Sequence, residues 1–185
     1  MSTVKIIQYD DGKHRDQLYD LLLEYANWHK HQLRTKYDVD YEDVIGGSFE
    51  EVGKTFFPAI TSLEPPKGLI LVLEDGKKVV GMGRLSILED DIAEINNMFI
   101  GGDYRGHGYG KKILGQLIEK AREYGYKTLR LDTSAYSEVA QHIYIEAGFH
   151  EIEHYDSSPH GRVAKNTTEA GRIYYSIKKY MEKQL

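Results

Sequence analysis

Cysteine is absent from the 185 residues. That absence removes thiol nucleophiles, acyl-cysteine intermediates, thiolate metal sites and disulfides together. Long hydrophobic runs are also missing: no window approaches the roughly 20 apolar residues of a membrane span. The first residues, MSTVKIIQYDDGKHRDQ, hold no apolar stretch of signal-peptide length, so the expected location is the cytoplasm. Cations are in the minority, 24 Lys and Arg against 29 Asp and Glu, for a net charge of -5. Nucleic acid is therefore not the expected partner, because phosphate binding runs on clustered Lys and Arg. Apolar residues at 41% and charged residues at 29% exclude disorder and collagen and fit a soluble globule. At this length it buries on the order of 70% of its unfolded surface and forms one domain with room for an appendage.

Residues 4 to 9 read as a strand. Leu18, Leu21, Leu22, Tyr25 and Trp28 follow helical spacing within a helix from about Lys13 to Leu33. Residues 37 to 47 carry Asp38, Asp40, Glu42 and Asp43, and 49 to 61 form a second short helix before Pro65-Pro66. LILVLE (69 to 74), Asp75-Gly76 and KVVGMGRLSIL (78 to 88) predict a hairpin, extended by residues 92 to 100 into an antiparallel meander. A helix to about Tyr124 follows, with Gly125 at its C-terminal end. Then come a strand (127 to 132), a helix (137 to 147), a strand (149 to 155), a polar loop (156 to 171) and a last strand from Arg172 to Tyr180.

The segment from Ile100 to Lys112 joins a strand to a helix through glycines at alternate positions. Bare backbone N–H groups and a helix N-terminus make an anion cradle, reinforced by Arg105, Lys111 and Lys112; a merely flexible turn would also use glycines. A P-loop does not fit, because Gly110 is followed by two lysines and no hydroxyl. A dinucleotide fold would use Asp132 as its ribose acid. Against it stand the Gly-x-Gly-x-Gly spacing, the antiparallel strand before the turn and the 53 residues left after Asp132.

Arg105-Gly106-His107-Gly108-Tyr109-Gly110 resembles the Gln/Arg-x-x-Gly-x-Gly/Ala acyl-CoA signature of the GNAT superfamily of N-acetyltransferases. Downstream, Ala140, Tyr144 and Gly148-Phe149 are similar to that family's second motif. The resemblance covers about residues 68 to 155. It implies an α/β GNAT-like fold: a central, mixed, mostly antiparallel sheet of six or seven strands flanked by helices, in one domain over 1–185. Residues 1–66 would supply acceptor-binding helices, 68–155 the acetyl-CoA core and 172–180 the last strand. It implies acetyl-CoA as the donor, no metal, and an amine acceptor, with a homodimer left open. The backbone of Met98, Phe99 and Ile100 would pair with the pantetheine arm, Gly106 to Lys111 would hold the pyrophosphate with Arg105 beside them, and His107 would follow its backbone to the cofactor. Ala140 and Tyr144 would face the thioester. Ser137 stands where the family often has asparagine, and Gly102 where it often has proline.

Acetyl transfer to an amine requires a neutral nucleophile, oxyanion stabilisation and a proton for the thiolate. Glu94 lies four residues before Met98, on the same face by the strand period of two. It matches the strand glutamate that is general base in some superfamily members, against the alternative of a solvated carboxylate. Tyr144 is the candidate general acid, against the alternative of a core tyrosine, and the oxyanion falls to a backbone N–H near Phe99. The resemblance places the acceptor cleft at the first helices, so Tyr25, Trp28, His29, Tyr37 and Tyr41, with the acids at 38 to 43, are candidates for holding a cationic amine. The spacing of His29 and His31 on a helix reads as a surface pair. His150-Glu-Ile-Glu-His154 has the zinc-protease form, but on a strand its histidines would stand roughly 13 Å apart. A second class of function stays open, a non-catalytic acyl-CoA-binding sensor or interaction module on the same fold.

Overall fold

The structure is a computed structural model that describes residues 4–155 and 168–185; most of the polar loop at 156 to 171, for which the sequence leaves open both closing over the site and merely spanning two strands, lies outside the described residues. Seven strands form one sheet: β1 (Lys5–Gln8), β2 (Gly68–Asp75), β3 (Lys78–Glu89), β4 (Ile92–Ile100), β5 (Thr128–Ser134), β6 (His150–Ile152) and β7 (Lys178–Gln184). Their order is β1-β2-β3-β4-β5-β7-β6. Every neighbouring pair is antiparallel except β4 and β5.

Helix α1 (Asp11–Tyr37) turns Leu18, Leu21 and Leu22 toward one face of the sheet. Helix α2 (Tyr41–Ile45) starts at Asp40, which accepts from the Glu42 N–H. Helix α3 (Phe49–Thr61) opens on a reciprocal capping box of Ser48 and Glu51, satisfying two backbone donors that helices otherwise leave unpaired. Phe57 and Ile60 of α3 join α1 over Ile70, Val72 and Met82. The opposite face carries α4 (Tyr109–Glu123), whose Ile113, Leu114, Leu117 and Ile118 pack on Leu71, Leu85 and Ile95. Each such side chain stabilises the fold by roughly 1.5–3 kcal/mol. The approach is close: a Cβ at Gly83 would stand 2.6 Å from Ile113. Helix α5 (Glu138–Glu146) adds Tyr144 to this core.

The expected strand at 172 to 180 is corrected. Glu169–Ser176 forms helix α6, started by Thr168, whose hydroxyl accepts from the Gly171 N–H. Ala170, Ile173, Tyr174 and Ile177 recur at three and four residues and pack on Leu33, Val39, Val44 and Tyr136. The final strand begins only at Lys178 and runs between β5 and β6.

Candidate active site

Parallel pairing of β4 with β5 runs from Ile92–Thr128 to Ile95–Leu131 and goes no further. Beyond it the strands part around a cleft of about 840 Å³, lined on one side by residues 95 to 100 and on the other by Asp132, Thr133, Ser134 and residues of α5. A β-bulge accompanies the parting. Met82 pairs with Phe99 and Arg84 with Asn96, so two residues of β3 span three of β4. Asn97 takes up the extra length at φ 50°. A bulge changes which side chains face which way: Ile95, Met98 and Ile100 pack toward α4, while Phe99 joins the α1 layer. Glu94 and Met98 therefore lie on opposite faces, and the same-face expectation is corrected.

One end of the cleft is the glycine turn. Gly106 and Gly108 have φ of 80° and 76°, and Gly108 precedes α4 with no side-chain cap. The first amides of α4 thus face the cleft without a competing side chain, the arrangement that receives an anion. Gly106, Gly108, Tyr109, Gly110 and Lys111 all line it. Lys111 also bonds Glu146 at 2.5 Å. Arg105 donates to the Ile100 carbonyl at 2.8 Å and lies over Phe99 and Trp28, 5.1 and 5.9 Å from their ring centres. The His107 ring is exposed, contacts the Arg105 carbonyl and stacks on Tyr109; it is not among the lining residues. Ser137 and Ala140 line the α5 side with Tyr144.

The other end is an aromatic chamber. Tyr25, Trp28, His29, Tyr136 and Tyr174 line it, with Tyr25 packed 4.9 Å from Phe99. His29 is buried, not a surface residue, because α1 lies against the sheet on that side; His31 is exposed. His29 Nδ1 lies 2.5 Å from the Tyr136 hydroxyl. Burial, then the charge of Lys178, push its pKa down to about 3, so the ring is neutral. Tyr41 stacks behind His29 and Tyr37 packs on Tyr136, both behind the lining. Lys178 bonds Asp132 and lies 4.9 Å from the Tyr174 ring centre. Burial alone would lower its pKa, but Asp132 and Tyr174 outweigh that and hold it well above the usual lysine value. The acids at 38 to 43 do not reach the chamber. Asp38 pairs with Arg34, Glu42 with Lys30, and Asp40 caps α2.

Glu94 is fully buried under the chamber face of β4 and is not among the lining residues. Asn96 Nδ2 donates to one of its oxygens at 2.7 Å and the Tyr155 hydroxyl to the other at 3.0 Å. Burial, then the Glu94 charge, push the Tyr155 phenol far up. Asn96 Oδ1 accepts from Arg84 Nη2 at 2.7 Å and Ser86 Oγ at 2.8 Å, and Arg84 Nε donates to Asn97 Oδ1 at 3.2 Å. The Tyr144 pKa is also raised, by burial and then by Asp132, so its phenol holds its proton at neutral pH. His150 lies on β6 and His154 beyond it in non-helical chain, with the His154 ring against Tyr180.

Sequence reasoning missed Asn96, Asn97, Tyr136, Tyr155, Tyr174 and Lys178. For Tyr174 the signal was present in the 170, 173, 174, 177 spacing. For Lys178 and Tyr155 it was not, since the order of β5, β7 and β6 brings Lys178 into the lining and Tyr155 against the buried Glu94.

A seven-stranded mixed sheet whose two central parallel strands part over a glycine-flanked helix N-terminus is the fold shared with solved acetyltransferase structures. The family model for the acetyltransferase (GNAT) family matches residues 16–149, and the chain belongs to that family. It is 36% identical over 86 residues to the uncharacterized N-acetyltransferase YjgM of Escherichia coli, covering 45% of this chain and 52% of that one. Over 97 residues it is 30% identical to the ribosomal protein bS18-alanine N-acetyltransferase of Haemophilus influenzae, covering 52% and 65%. The chain thus spans about half to two thirds of the length of these curated relatives. An acetyltransferase structure from Streptococcus agalactiae superposes with a TM-score of 0.67 at 20% identity, covering 98% of both chains.

Proposed function

We propose that the protein is an acetyl-CoA-dependent N-acetyltransferase that moves the acetyl group directly to a primary amine of a small molecule or peptide. One observation carries this reading: a single cleft runs from the uncapped start of α4, across the unpaired edge of β4, into the aromatic chamber. Donor and acceptor can meet there at once, and a chain without cysteine offers no thiol to carry the acetyl group between them.

Bound acetyl-CoA supplies an activated thioester carbonyl. In this reading the amides of residues 106 to 111 hold the pyrophosphate, and the backbone of Met98 to Ile100 pairs with the pantetheine arm as an added strand would. An N–H near Phe99 takes the carbonyl oxygen as negative charge develops. Tyr144 gives its proton to the departing sulfur as the C–S bond breaks. The amine forms the new C–N bond and loses a proton to Glu94. Glu94 is buried and neither it nor Tyr155 lines the cleft, so that proton travels through water to the Tyr155 hydroxyl, which receives it as its own goes to the carboxylate. Residues 1–66 supply the acceptor wall and 68–155 the donor half.

Thiol release from acetyl-CoA in the presence of arylalkylamines, amino acids, polyamines and peptide N-termini tests this. Turnover with one amine class and formation of the acetylated amine are expected. Tight CoA binding without turnover on any of them would favour a sensor on the same fold.

A further inference from the structure

We propose that Arg84 is a positioning residue, a clamp that holds the β4 bulge in the shape that receives the donor. This rests on reading the cleft as a CoA site.

Arg84 is 3% exposed and sits on β3 opposite Asn96. Burying a guanidinium is unfavourable unless its donors are met. Here burial lowers its pKa to about 10, against the charge of Glu94. Two of its donors go to consecutive side chains of the bulge, Nη2 to Asn96 and Nε to Asn97. The rest of the Asn96 amide is fixed as well: its oxygen also takes the Ser86 hydroxyl and its nitrogen donates to Glu94. The bulge is thus bound from inside the sheet by a fork with rigid geometry. A lysine, with one nitrogen on a flexible stem, cannot span both amides in this way.

The clamp matters because the bulge is held against a local preference. Extended backbone is the ordinary state of a strand residue; the left-handed region is tolerated by asparagine better than by other side chains but less readily than by glycine, and Asn97 occupies it at φ 50°. If Asn97 relaxed to extended backbone, every side chain after it would change face, as in any one-residue slip. Met98 and Ile100 would leave the α4 core and Phe99 would leave the wall beneath Arg105. The backbone edge of residues 96 to 100 would then no longer face the cleft.

The test is a calorimetric titration of CoA into the full-length protein, compared among wild type, R84K, N97A, N97G and R84K/N97G. R84K is expected to weaken binding about tenfold. Glycine at 97 removes the cost of positive φ, so R84K/N97G should regain most of that loss, and N97G should bind more tightly than N97A. A purely structural role for Arg84 gives no rescue by glycine. Equal affinities for R84K and wild type, or no recovery in R84K/N97G, would overturn the proposal. If R84K does not fold, the N97A and N97G pair decides, and equal binding by the two overturns it. A wild type without CoA affinity would sink the function reading alone. The clamp would still be tested by the three-bond HN–Hα coupling of Asn97, which should move out of the positive-φ range in R84K and would contradict the proposal by staying there.

Discussion

The Tyr155 hydroxyl donates to Glu94 across 3.0 Å, tying the chain just beyond β6 to the middle of β4. Tyr155 is held in turn by the Arg130 guanidinium over its ring and by Tyr180 at its edge. A carboxylate buried away from the cleft takes a proton from the acceptor through a group that bonds it, and the Tyr155 hydroxyl is such a group. Glu94→Gln and Tyr155→Phe should therefore each lower kcat by about 10²-fold. The double variant should lose little more than the worse single one, because the two act as one unit. Fully multiplicative losses in a double-mutant cycle would separate them.

Tyr144 faces the cleft with a phenol that stays protonated at neutral pH. Tyr144→Phe should lower kcat by about 10²-fold while leaving CoA affinity within a factor of about two, since the ring and its contact with Phe149 are retained. An unchanged kcat and pH profile would assign this tyrosine to the core alone.

Gly108 opens α4 at φ 76°. Gly108→Val forces a β-branched residue into that region, at about 1–2 kcal/mol, and turns the first amides of α4 away from the cleft. Weaker CoA binding by at least about tenfold is expected from the same titration, with a smaller loss of thermal stability. Retained affinity would place the pyrophosphate elsewhere.

His29 has a folded pKa of about 3 against an ordinary value of 6.5. Between those values the unfolded chain binds a proton that the folded chain refuses, so stability rises with pH across that window. The contribution is complete above about pH 6.5 and falls as the pH drops toward 3, by at most about 1.4 kcal/mol per pH unit. Urea unfolding at pH 7 and pH 5 should show this loss in the wild type, and His29→Gln should reduce it. Identical pH slopes would mean that His29 charges freely in the folded state.

The charges lining the cleft are Lys36, Arg105, Lys111 and Lys178 against Asp132 and Glu138, and Asp132 is held by Lys178. Glu138 is the remaining carboxylate of that lining and lies exposed at the start of α5, so a second cation on the acceptor meets four cationic side chains and one free carboxylate. Arylalkylamines or amino acids should accordingly exceed linear polyamines in kcat/KM, by about tenfold or more if one unfavourable charge contact costs about 1.4 kcal/mol. A preference for polyamines would restore the acids at 38 to 43 as acceptor contacts.

Much of this was legible in the chain. Apolar periodicity marked α1 and α4, the stop at Pro65-Pro66 bounded α3, Asp75-Gly76 marked the hairpin, and the glycine turn with the Tyr144 to Phe149 motif marked the donor half. Three features were not. The bulge at Asn97 leaves no trace in a pattern of twos, so Glu94 was expected beside Met98. Helix α6 carries helical spacing at 170, 173, 174 and 177, but over only eight residues that signal is outweighed by Ile173, Tyr174 and Tyr175, which also suit a strand. The Lys178–Asp132 and Tyr155–Glu94 contacts join residues 46 and 61 positions apart, through a strand order that only folding establishes.

The central claim, direct transfer within one cleft, is tested most directly by initial rates measured while acetyl-CoA and the accepted amine are both varied, with CoA and acetylated amine quantified together. Intersecting double-reciprocal lines, equal amounts of the two products and no acetylated protein are predicted. Parallel lines with an acetylated enzyme, or CoA release without acetylated amine, would contradict it.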